Sequence, residues 1–129
     1  EEGLVVPVVR NAEKLSLGEI SRQIRDLSVR AREGKLDMEE MKGSTFSITN
    51  LGRSGIEYFT PVLNTPESGI LGVGSIQSTP VFGEDGQITR REMLPLSLTF
   101  DHRVLDGAPA GEFLSTVKNY LEHPYSFII

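Results

Sequence analysis

The hydrophobic period changes at Ser16, and this change limits the possible folds more than any other feature of the chain. From Leu17 onward the apolar residues Leu17, Ile20, Ile24, Leu27 and Ala31 recur at alternating intervals of three and four, the spacing of a helix with one apolar face. Ser16 and Glu19 stand where a capping box would place them, so a helix is predicted from Ser16 to near Gly34. That period then stops. "STFSITN", "EYFTPVLN", "SGILGVGSIQSTPVF" and "QITRREMLPLSLTFDH" read as strands, separated by turn clusters such as "NLGRSG" and the hairpin loop "GEDG". A second helical pattern runs from about Ala108 to Glu122, with Ala110, Phe113, Leu114, Val117 and Leu121 on one side. Ahead of the first helix, residues 3–10 read as a strand that Pro7 confines to an edge or irregular position; after it, "KLDMEEMKG" reads as a short acidic connection with a turn of helix. Strand, helix, several strands and a final helix predict an α+β fold with a mixed, mainly antiparallel sheet packed by helices.

With 129 residues the chain has room for one core, and 38% hydrophobic with 24% charged residues is an ordinary globular composition. No apolar run approaches the ~20 residues of a membrane-spanning helix, so no membrane partner is expected. A net charge of −5 argues against a general grip on nucleic acid. The arginines of the first helix (Arg22, Arg25, Arg30, Arg32) are interleaved with Glu19, Asp26 and Glu33, which reads as a solvated face. Without cysteine there is no thiol nucleophile and no thiolate ligand. The opening "EEGLVVPVV" suggests a piece of a longer chain, and the apolar end "YSFII" suggests docking onto a surface outside its own core.

The chemistry-bearing stretch is "FDHRVLDG". His102 lies at the end of a run in which Leu94, Leu96, Leu98 and Phe100 share one strand face, so a half-buried imidazole is expected. Such an imidazole is either a hydrogen-bonded structural residue or a base usable near neutral pH. Asp106-Gly107 suits the start of the last helix, with aspartate as its N-cap. The glycines of "GILGVG" (Gly69, Gly72, Gly74) match no phosphate-loop pattern and are read as allowing close backbone approach in a strand. His123, in "EHPY", reads as a surface residue, and the two histidines lack metal-ligand spacing, so no metal is expected.

The run "PLSLTFDHRVLDGAPAGEFL" resembles the C-terminal signature of the dihydrolipoamide acyltransferases, the E2 cores of 2-oxo acid dehydrogenase complexes. "GLVVPVVRNAEKLSL", "GSTFSITNLG" and "YFTPVLNTPESGILGVG" resemble that family's segments in the family's order, and together they extend over nearly the whole chain. One H-x-x-x-D-G is weak; four collinear matches are not. The related peptide-synthetase condensation domains carry two adjacent histidines where this chain has Asp101-His102, which favours the E2 branch.

The resemblance implies that residues 1–129 form the C-terminal part of a catalytic domain with a chloramphenicol-acetyltransferase-like two-layer sandwich, without lipoyl or subunit-binding domains. It implies trimers that assemble into a larger core, with dihydrolipoamide and coenzyme A entering a channel between subunits, and E1 and E3 as partners through other domains. His102 matches the family's general base, Asp106 its motif aspartate, which positions the site, and Thr49 the hydroxyl that stabilises the oxyanion across a subunit interface. Acetyl is the first expectation for the acyl group, and the bacterial cytoplasm or the mitochondrial matrix for location. The competing reading is a non-catalytic structural piece of an E2 core.

Overall fold

The structure, a computed structural model, describes residues 4–128, with the side chains of 127 and 128 left out. It divides into two compact units, Glu1–Ser44 with His123–Ile129, and Thr45–Glu122.

In the first unit the predicted helix is present as α1 (Leu17–Arg32). Its capping box is complete: the Glu19 N–H donates to Ser16 Oγ at 3.2 Å, and the Ser16 N–H donates to Glu19 Oε2 at 2.7 Å. Two donors that would be orphaned at a helix start are thereby satisfied. Leu27 is buried, whereas Leu17 and Ile24 on the same stripe are 62% and 51% exposed. A 3₁₀ turn at Met38–Met41 carries Glu40, whose carboxylate accepts from both Nη1 and Nη2 of Arg30. Arg30 also donates to Asp26 from Nε and Nη2, so one arginine of the supposedly solvated face ties α1 to this turn. The Arg30 guanidinium, followed by the Asp37 N–H, holds the Glu40 carboxyl down to about 2.

The strand expected over residues 3–10 is absent, and Gly3 lies outside the described residues. Residues 4–9 belong to no helix or strand, and Val8 N–H donates to the Glu40 carbonyl at 2.8 Å. Pro7 offers no N–H, so a continuous ladder could not run through it. The segment is held instead by Arg10, whose Nη2 donates to the carbonyls of Glu39 and Lys42 at 2.6 and 2.9 Å. In the "YSFII" end, Tyr125–Ile128 forms a helical turn, α3. The expected docking of that end falls largely on side chains outside the described residues.

The second unit is built on a three-stranded mixed sheet ordered β1-β2-β5. β1 (Ser47–Asn50) runs parallel to β2 (Gly69–Val73), and β5 (Leu96–Phe100) runs antiparallel to β2. β3 (Gln77–Phe82) and β4 (Ile88–Met93) form a separate hairpin around "GEDG", where Gly83 N–H bonds the Gln87 carbonyl at 2.8 Å. Pro95 separates β4 from β5, so "QITRREMLPLSLTFDH" makes two strands rather than one. α2 (Gly107–Glu122) follows, and its Phe113 ring meets Phe46 at 5.7 Å. Ile70, Leu71 and Ala110 of this unit are buried, as are Pro61 and Pro95, and Ile70 and Leu71 each contribute roughly 1.5–3 kcal/mol.

"EYFTPVLN" forms no strand and pairs with no ladder. Its place is explained by the glycines of β2. A Cβ on Gly72 would stand 2.9 Å from the Phe59 ring, and one on Gly74 only 1.8 Å from the Glu57 carbonyl oxygen. The segment therefore lies flat against β2, held by Ser75 N–H to the Ile56 carbonyl and by Thr99 Oγ1 to the Pro61 carbonyl, both at 2.7 Å. The glycines serve close approach, as read from the sequence.

The accessible area is 10170 Å². Leu4, Val62, Phe82 and Ile88 are all at least 70% exposed.

Candidate active site

β5 delivers His102, and the following turn orients it. The Asp101 N–H continues the β5 to β2 pairing by donating to the Ser68 carbonyl at 2.9 Å. Its carbonyl accepts from Val104 and Leu105, which closes the turn. The Asp101 carboxylate accepts three bonds from Arg103: backbone N–H at 2.9 Å, Nε at 3.0 Å and Nη2 at 2.8 Å. The Arg103 side chain, then its N–H, lowers the Asp101 carboxyl to about 2. This pair was missed by the sequence reading, although charged residues directly before and after the histidine were a visible signal.

His102 is not half-buried. Its side chain is 74% exposed, because the strand ends at Phe100 and the chain turns outward rather than continuing the apolar face. The imidazole lies near the Phe100 ring, with centroids 5.7 Å apart. Nδ1 stands 3.9 Å from Asp106 Oδ1, close enough for charge attraction but too long for a hydrogen bond. Asp106 is at the start of α2 as expected, its carbonyl accepting from Ala110 N–H at 3.2 Å. His123 is exposed, and its carbonyl accepts from Ser126.

Thr49 is half-buried on β1, in register with Gly72 of β2 and thereby with Ser97 of β5. It shares a sheet face with Gly72, the face on which residues 57–61 lie. His102 is on the opposite edge of the sheet and five residues beyond Ser97. With strands ~4.8 Å apart and ~3.3 Å per residue, Thr49 and His102 of one chain are on the order of 15–20 Å apart. A base and an oxyanion donor must each come within ~3 Å of one reacting group. The structure thus brings His102 and Asp106 together and leaves Thr49 apart. An open cavity of about 300 Å³ is lined by Tyr58–Pro61 and Ser97–Thr99, and neither His102 nor Thr49 lines it.

Residues 1–129 match the family described as 2-oxoacid dehydrogenases acyltransferase (catalytic domain). The chain belongs to this acyltransferase family. It is 57% identical, over its whole length, to 32% of the dihydrolipoyllysine-residue acetyltransferase component of the acetoin cleaving system of Bacillus subtilis (strain 168). The fold is similar, with a TM-score of 0.92, to the dihydrolipoamide acetyltransferase (E2p) of Azotobacter vinelandii, at 39% identity over 98% of this chain and 52% of that one. That enzyme has been investigated crystallographically and enzymatically for the role of one serine, one histidine and one asparagine in its catalytic mechanism. The cubic core of a pyruvate dehydrogenase multienzyme complex is similar too, with a TM-score of 0.92, 38% identity and the same coverage of both chains. The chain thus spans about a third of that curated relative and about half of the solved cores. The α+β architecture is that of E2 catalytic cores.

Proposed function

We propose that the chain supplies the histidine and the hydroxyl of an acyltransferase site that moves an acyl group, acetyl first, between a dihydrolipoamide arm and coenzyme A. The carrying observation is family membership along the whole chain, with His102 and Asp106 placed together at the β5–α2 turn. In the Azotobacter enzyme the investigated histidine precedes the asparagine by four positions, as His102 precedes Asp106. The serine there precedes the histidine by 52 positions; Thr49 precedes His102 by 53. A hydroxyl is retained, and a carboxylate stands in place of an amide.

A thiol with a pKa near about 8.5 is mostly protonated at neutral pH, so transfer between thiols needs a base. The exposed His102 ring is open to such a thiol and takes its proton as the sulfur attacks the thioester carbonyl. Thr49 donates its hydroxyl to the oxygen on which charge develops. His102 then returns the proton to the departing thiolate, and Asp106 steadies the imidazolium in between. Because one chain holds the two groups ~15–20 Å apart, the site forms between two copies, and an isolated copy is inert. The exposed apolar side chains Val62, Phe82 and Ile88 support the same assembly, completed by the rest of the catalytic domain, with E1 and E3 meeting other parts of the full-length protein. The bacterial cytoplasm or the mitochondrial matrix is the matching location.

The test is His102→Ala in the full-length protein, assayed for acetyl transfer from acetyl coenzyme A to dihydrolipoamide. A loss of about 10²–10⁴ in kcat with assembly intact is expected, and near-normal turnover would overturn the assignment.

A further inference from the structure

We propose that Asp101 and Arg103 form a positioning pair that fixes the turn carrying His102 and balances the charge around its imidazole. The inference rests on the acyltransferase reading and goes beyond it, since neither residue is assigned a part in the proposed chemistry.

The geometry has two components. First, Asp101 is anchored by both its main chain and its side chain: its N–H bonds to Ser68 ahead of β2, its carbonyl caps the N–H groups of Val104 and Leu105, and its carboxylate grips Arg103 through three donors. His102 is the single residue between the two members of this pair. Both neighbours of His102 are thus bonded, and its imidazole lies near the Phe100 ring, with centroids 5.7 Å apart. Second, the carboxylate of Asp101 is 18% exposed, while the Arg103 side chain is 86% exposed. Nε and Nη2 of this exposed arginine fork onto the two carboxylate oxygens.

Among the described residues, Asp101 and Arg103 flank His102 in the turn, and Asp106 approaches it from the start of α2. Glu67, on the segment that carries Ser68, is buried and engaged by the Ser47 hydroxyl. With Arg103 in place, Asp101 is paired, and Asp106 is the carboxylate that approaches the ring, at 3.9 Å. Without Arg103 an uncompensated carboxylate would stand next to the ring's own residue, and a nearby opposite charge favours the imidazolium. Without Asp101 the free guanidinium would do the reverse. Opposite charge effects from the two partners of one pair distinguish this device from a structural contact.

The experiment uses full-length protein, with Arg103→Gln, Asp101→Asn, the double variant and Arg103→Lys, each checked for assembly by light scattering. Steady-state kinetics with acetyl coenzyme A and dihydrolipoamide are followed across pH. Each single variant is expected to lose roughly ten- to a hundredfold in kcat, the cost of a misplaced catalytic group. The acid limb of kcat/KM moves to higher pH in Arg103→Gln and to lower pH in Asp101→Asn. In the double variant the limb returns to its original place while kcat stays low. Arg103→Lys restores the limb but only part of kcat, because lysine keeps the charge and lacks the fork. Unmoved limbs with normal kcat in the single variants overturn the proposal. So does a change confined to the KM for coenzyme A, which would make Arg103 a substrate-binding group. His102→Ala, run alongside, separates the two levels: if it is inactive while Arg103→Gln is normal, only the pair fails, and if it is active, the acyltransferase assignment fails as well.

Discussion

Gly74→Ala tests whether the segment before β2 is held against the sheet as described. The added methyl would meet the Glu57 carbonyl oxygen at 1.8 Å and the Pro95 ring at 2.8 Å. The first obstacle is backbone, so relief requires the 57–61 segment to move by more than 1 Å. That movement breaks the Ser75 to Ile56 bond of 2.7 Å and strains the Thr99 to Pro61 bond on the same segment. Overpacking costs about 1–3 kcal/mol, and a lost backbone bond adds about 1 kcal/mol. The expected destabilisation is therefore about 2–4 kcal/mol. Gly111→Ala is the control: nothing lies within 4 Å of its added Cβ, and alanine inside α2 gains about 0.5–1 kcal/mol over glycine. Denaturant unfolding of the full-length protein and both variants, followed by circular dichroism, gives the comparison. Equal midpoints for Gly74→Ala and the parent would refute the placement of the segment.

Two further outcomes follow from local interactions. Ser16→Ala removes the capping hydroxyl of α1 and is expected to cost about 1 kcal/mol, read as a lower unfolding midpoint; an unchanged midpoint would count against the capping box. Asp101 and Glu40 have carboxyl groups lowered to about 2, so the stability they add is present above their ordinary values near 4 and is lost as the pH falls toward 2. Denaturation midpoints measured from pH 5 to pH 2 should fall less steeply in Asp101→Asn and Glu40→Gln than in the parent, and parallel curves would contradict the two ion pairs.

The sequence carried local signals well and partnership poorly. α1 was legible because the period of its apolar residues and the Ser16–Glu19 cap lie within one segment. The β3–β4 hairpin was legible from "GEDG". "EYFTPVLN" and residues 3–10 have the composition of strands, yet whether an extended segment finds a ladder depends on a neighbour that its own residues do not name. The glycines of "GILGVG" showed that something approaches closely; they did not say that it is the Glu57 carbonyl. At the site, the order His102, Asp106, α2 was readable from "FDHRVLDG". The exposure of His102 was not, because an alternating pattern does not mark where a strand stops. The Asp101–Arg103 pair depends on a turn that folds two side chains onto each other, and spacing alone does not reveal it.

The central claim is that Thr49 of one copy works with His102 of another. Thr49→Ala and His102→Ala full-length proteins, each nearly inactive alone, can be dissociated, mixed in equal amounts and reassembled. With random mixing in a cyclic assembly, roughly one interface in four joins an intact Thr49 to an intact His102. The account predicts recovery of about a quarter of the parent's acetyl-transfer activity, and a mixture no more active than its components would contradict it.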